Sequence, residues 1–130
     1  MDTLRTLLWR WVPALVVMAL IFVASSQTGA DLPDFGTWDW TAKKSGHVLF
    51  YALLALAYLR GLAYGRRPSL GLAATVVLMA ALYGATDEFH QFYVAGRGAS
   101  PVDVGIDTLG AVAGLALFWA ARGLWPRRSA

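Results

Sequence analysis

The sequence predicts an all-α protein: a four-helix transmembrane bundle with both termini in the cytoplasm. Three observations predict it. Hydrophobic residues make up 58% of the 130-residue chain and charged residues only 15%, against about 45–50% and about 25% in soluble domains. Four apolar segments are each long enough to cross a bilayer, which takes about 20 residues. The basic residues fall mostly on one side of the alternating loops. A chain this short has no interior large enough to hide so much apolar surface from water, so the hydrocarbon must face lipid.

The first segment runs from about Leu7 to Ala24, "LLWRWVPALVVMALIFVA", with Arg10 near its entry. Pro13 sits in its first turns, where a missing N–H is least costly. The small residues of "VASSQ" also allow this segment to be read as a cleaved signal peptide. That alternative leaves three spans with termini on opposite sides, which the arginine distribution disfavours. The second segment covers about 46–64, the third about 69–89 and the fourth about 101–119. No repeat or long linker interrupts them, so residues 1–130 read as a single transmembrane domain.

Lys and Arg concentrate on the cytoplasmic side of short-loop membrane proteins. Arg5, Arg10, Arg60, Arg66, Arg67, Arg122, Arg127 and Arg128 lie on the side of the termini, and Lys43, Lys44 and Arg97 on the other. Loops one and three therefore face outwards. The tryptophans fit interfacial belts, with Trp9, Trp11, Trp119 and Trp125 inside and Trp38 and Trp40 outside. The absence of cysteine excludes disulfides and thiolate metal sites. Arginines scattered at helix ends give no basic patch, so nucleic acid is not an expected partner; membrane lipids are.

Half of the eight acidic residues lie in one run, Tyr83 to Gly110. Before it, Lys44, His47 and Tyr51 follow an i, i+3, i+7 spacing along one face of helix two. At the end of helix three, Asp87 and Gln91 are four apart, Glu88 and Gln91 three, and His90 follows Asp87 by three. An ionised carboxylate near hydrocarbon is costly unless paired or open to a polar cavity. The structural reading is an ion pair, Glu88 with Lys44 or Asp87 with Arg97. The functional reading is a site.

Gly96 and Gly98 flank Arg97 and let the backbone turn sharply around it. Ser100, Pro101 and Asp103 form a helix start resembling a capping box. Arg97 next to that helix amino terminus suits an anion, or else pairs with Asp87 or Asp103. In helix four, Asp103 and Asp107 share a face that continues into Gly110 and Gly114, a G-x-x-x-G pair that permits close helix contact. The acidic face therefore points into the bundle. Taken together, Lys44, His47, Tyr51, Asp87, Glu88, His90, Gln91, Arg97, Asp103 and Asp107 converge at the outer ends of helices two, three and four.

These residues carry a resemblance to the VanZ-like family of small bacterial membrane proteins. The matching pieces are Ser25 to Gln27, the K-x-x-H-x-x-x-Y from Lys44 to Tyr51, the DE-x-HQ-x-x-x-x-GR from Asp87 to Arg97, and the R-x-x-S-x-x-D leading to D-T-x-G at Gly110. The chain departs from the family pattern at Lys43, often Asp, at Ala95, usually Pro, and at Asp107, usually Asn. The resemblance implies an envelope-associated role, in a family named for resistance to the glycopeptide teicoplanin. The expected function is binding or processing of an anionic envelope molecule such as a lipid-linked phosphate at the outer leaflet. Arg97 and Lys44 would hold the anion, with Tyr51, His90, Gln91, Asp103 and Asp107 around it. His47, Asp87 and Glu88 are the acid–base candidates. A divalent metal held by His47, Asp87, Glu88 and Asp107 is a further expectation. The rival is a non-enzymatic protein whose charged cluster is a structural ion-pair network, acting through the envelope or a partner. A small transporter or channel is a third class, for which four short helices leave little room.

Overall fold

The computed structural model describes residues 2–28 and 30–124. Four α-helices account for most of them: α1 Asp2–Ser26, α2 Asp39–Ala63, α3 Leu70–Gln91 and α4 Pro101–Leu124, with a short 3-10 turn, Gly36–Trp38, leading into α2. No strand occurs among the described residues, and all four helices are long and apolar enough to cross a membrane. The fold is that of a multi-pass membrane protein. Trp125, Arg127 and Arg128 lie outside the described residues.

The helices outrun the apolar segments that predict them. α1 extends to 2–26 and α4 to 101–124, and α2 starts at Asp39 rather than near residue 46. The added first turns of α2 are polar, so an apolar pattern misses them. They are held instead by an ion pair between Lys43 and Asp39, four residues apart, at 2.7 Å. Lys44 and His47 consequently sit in the second and third turns of α2. α3 continues to Gln91 and brings Asp87 and Gln91 onto one face. Ser69 caps its amino end, accepting from the Leu72 N–H at 3.2 Å.

α2 is the central helix and packs against all three others, most extensively against α4; α1 and α4 make no close backbone approach. The contact with α4 rests on the two predicted glycines. A Cβ on Gly110 would come within 2.6 Å of the Val48 carbonyl oxygen, and one on Gly114 within 2.8 Å of the Ala52 Cα. Only glycine permits that approach, because the obstacle in both cases is backbone. Val48 and Ala52 are one turn apart on α2, so the G-x-x-x-G face lies flat against it. The result fixes the height of Asp107 relative to His47.

Lipid-sized apolar surface remains on the outside, for example at Leu15, Leu78 and Leu117. Trp9, Trp38 and Trp40 are exposed. Trp11 and Trp119 pack against the core instead. At the end carrying Arg10 and Arg60, both guanidiniums turn back onto helix carbonyls. Arg10 donates from Nε and Nη2 to the Gly61 oxygen at 3.1 and 2.7 Å. Arg60 donates to the Trp9 oxygen at 2.7 Å.

Candidate functional site

At the opposite end, the polar side chains of four helices meet. On α3, Gly84, Asp87, Glu88 and Gln91 are buried along one stripe, as their spacing of three and four residues requires. Asp107 of α4 is 1% exposed and Asp87 3%, unusual for carboxylates in any fold. His47 of α2 meets Asp107 through Nδ1 and Oδ1 at 3.1 Å. This is an imidazole oriented by a buried carboxylate, able to hold or pass a proton. The ring of Tyr51, one turn further along α2, lies nearly parallel to that of His47.

Asp87 is held from two directions. Its Oδ2 accepts from the Ser25 hydroxyl at 2.8 Å and from the Gln91 amide at 2.9 Å, and Gln91 also donates to Ser25 at 3.3 Å. Ser25 belongs to α1 and is itself buried. Three atoms in this neighbourhood are buried without a hydrogen-bond partner: Asp87 Oδ1, Asp107 Oδ2 and the Tyr51 hydroxyl. Such groups are rare in native interiors and each calls for a reason.

The ion pairs differ from those the sequence suggests. Lys44 pairs with Asp103 rather than with Glu88, joining α2 to α4 at the half-buried rim. Glu88 accepts from the Ser100 N–H at 3.0 Å. It thereby takes the place that a capping box gives to Asp103. Ser100 still caps α4, accepting from the Val102 N–H at 3.2 Å. Arg97 meets neither Asp87 nor Asp103. Its Nε donates to the Gln27 oxygen at 3.1 Å and its Nη2 to the Ala24 oxygen at 2.9 Å. The carbonyls at a helix carboxyl end are unsatisfied and carry partial negative charge, so a guanidinium is well placed there. Gly96, at φ +73°, supplies the turn that aims Arg97 across to α1.

His90 stands apart from His47. Its Nε2 lies 3.0 Å from the Ser26 hydroxyl and its ring stacks on Phe22, so it belongs to the α1–α3 seam. Sequence reasoning gave no site role to Ser25, Ser26, Gly84 or Lys43. The signal for the two serines was present as a hydroxyl pair ending an apolar run, and for Gly84 as the residue one turn before Asp87.

A pocket of ≈ 150 Å³ opens between α1 and α2 beside the cluster. Ile21, Leu32 and Phe50 form its apolar wall, and Lys43, His47, Arg97, Ser25 and Tyr51 its polar lining. Asp87 and Asp107 lie one residue behind that lining, through Ser25 and His47.

Fold and site together define a class: a four-helix membrane protein with a buried acid–imidazole cluster reached from one end. The family model described as VanZ/LLP1 matches residues 10–122. The chain belongs to this family. Neither curated proteins nor solved structures returned a match.

Proposed function

We propose that the pocket between α1 and α2 receives the head of an anionic, lipid-linked molecule of the cell envelope, such as a lipid phosphate. The supporting observation is the two-part lining, an apolar wall of Ile21, Leu32 and Phe50 beneath the bases Lys43 and Arg97. Hydrocarbon suits the wall, and phosphate suits a point charge beside a guanidinium. Lys44 is engaged by Asp103 and Lys43 by Asp39, but of the two only Lys43 lines the pocket, where a bound phosphate would compete for it with its partly exposed partner. With the arginine-rich end in the cytoplasm, both termini are cytoplasmic and the pocket faces the outer leaflet of the bacterial inner membrane. His47, backed by Asp107, is then the group that exchanges a proton with the bound head. Resistance to teicoplanin would follow from handling such a molecule.

The test counts lipid retained by purified protein after reconstitution with equal phosphatidylglycerol and phosphatidylcholine, using native mass spectrometry. Wild type should keep phosphatidylglycerol preferentially, and Lys43→Gln should lose several-fold of that preference with only a small fall in melting temperature from the lost, partly exposed pair with Asp39. No preference in wild type, or an unaltered one in the variant, removes this reading.

A second reading is favoured by one observation, that Lys44–Asp103 bridges two helices. In it the charged cluster locks the bundle and the protein acts through the envelope or a partner. Exchanging the two residues, Lys44→Asp with Asp103→Lys, should then restore stability and any resistance phenotype together. Stability restored without the phenotype would separate the site from the scaffold.

A further inference from the structure

We infer that His47, Asp87 and Asp107 form a binding site for one divalent transition-metal ion of Mn²⁺ or Zn²⁺ chemistry. The inference is tested separately from the lipid reading, because Asp87 and Asp107 lie behind the pocket and His47 alone of the three lines it.

The geometry comes first. Each of the three residues offers one ligand atom, and these atoms all lie within 4.8 Å of one another. They come from α2, α4 and α3, so the bundle itself assembles the set. Metal–nitrogen and metal–oxygen bonds of about 2.0–2.2 Å place neighbouring ligands about 3 Å apart and opposed ones about 4 Å apart. His47 Nδ1 and Asp107 Oδ1 are already 3.1 Å apart. Exchanging the proton between them for an ion keeps both atoms in place. The Asp87 ligand atom lies within 4.8 Å of both.

The second observation is independent of the clustering. Each carboxylate has one oxygen in a hydrogen bond and the other buried with no partner, Asp87 Oδ1 and Asp107 Oδ2, and the Tyr51 hydroxyl beside them is also unpartnered. These residues are 3%, 1% and 0% exposed. Burying a carboxylate is costly unless a cation or donors compensate it. Apart from His47 on Asp107, the nearby cations meet groups other than these two acids: Lys43 meets Asp39, Lys44 meets Asp103 and Arg97 meets the α1 carbonyls. A divalent ion would compensate both acids at once.

The surroundings are those of supported ligands. Ser25 and Gln91 both donate to Asp87 Oδ2, which fixes the carboxylate and leaves Oδ1 for a metal. α3 passes close beside the site at Gly84, where a Cβ would make ordinary contacts 3.5 Å from Asp107 Oδ2 and 3.6 Å from the Tyr51 ring. Glu88 stands outside the set because its Oε2 accepts from Ser100. One imidazole and two carboxylates, with no thiolate, suit Mn²⁺ or Zn²⁺ rather than soft ions. His47 reaches the pocket, which gives the ion a way in.

The experiment uses the full chain in detergent, freed of tags, treated with chelator and titrated with Mn²⁺ while free ion is followed by electron paramagnetic resonance. Wild type should bind one ion per chain. Asp107→Asn and Asp87→Asn preserve shape and should each weaken binding about tenfold or more, with Ser25→Ala also losing about 10–100-fold through the support it gives Asp87. Asp39→Asn, outside the cluster, should leave binding unchanged, and the metal-free melting temperatures verify that each variant is folded. Absence of stoichiometric binding in wild type overturns the inference, as does binding that survives both Asp→Asn changes; water alone would then occupy the unpartnered oxygens. Lipid retention is read separately in Lys43→Gln, so either proposal fails without the other.

Discussion

The two ends of the bundle handle charge in opposite ways. At one, Arg10 and Arg60 lay long side chains along the helices and donate to backbone carbonyls of Gly61 and Trp9. Arg10 also covers the Tyr64 ring, 4.6 Å from its centroid. Those guanidiniums serve as helix-to-helix ties, and their stems pack as hydrocarbon. At the other end, short carboxylates and an imidazole meet side chain to side chain, and polar atoms are left over. An arginine can reach out of a low-dielectric region; an aspartate cannot. Charge on a short side chain in a helix interior therefore has to be compensated where it stands.

The largest expected effect comes from the glycine seam that sets the register of the acidic end. Gly110→Ala drives a Cβ into the Val48 backbone, which cannot move aside, and should destabilise by about 1–3 kcal/mol, seen as a lower melting temperature in mixed micelles. Gly61→Ala is the matched change at the arginine end. There the Cβ would meet the Trp11 ring at 3.0 Å, a side chain that can turn away. The gain of about 1 kcal/mol in helix propensity offsets that displacement, so stability should barely change. Equal losses at the two glycines would show that the close α2–α4 approach is not what positions His47 against Asp107.

A smaller effect is expected when one arginine is removed from each end. Arg97→Ala and Arg10→Leu should each cost about 0.6–1.7 kcal/mol, the range for interhelical hydrogen bonds in membranes. They should differ in consequence. Arg97→Ala should also reduce phosphatidylglycerol retention, whereas Arg10→Leu should leave it intact. Loss of retention in both would assign it to general surface charge rather than to the pocket.

Much of this protein was legible one residue at a time. Four spans follow from apolar length, and the inward face of α4 follows from Asp103, Asp107, Gly110 and Gly114 recurring at helical spacing. Both were expected, and both are seen. The start of α2 was not legible, because its first turns are polar and hydropathy measures only what faces lipid. Partner choice was not legible either. The sequence matched Lys44 with Glu88, whereas the structure pairs it with Asp103, and it left Arg97 open between an anion, Asp87 and Asp103.

What the sequence determined by itself is class and location: a four-helix membrane chain with its acids and imidazoles gathered at one end. Local period and composition suffice for that. Only the tertiary structure decided that Arg97 closes the end of α1, that Ser25 holds Asp87, and that His47, Asp87 and Asp107 come within ligand distance. The contacts of Arg97 with Ala24, Ser25 with Asp87 and His47 with Asp107 join residues 60 or more positions apart along the chain. The relative rotation and height of four helices set them, and side-chain packing between helices fixes both.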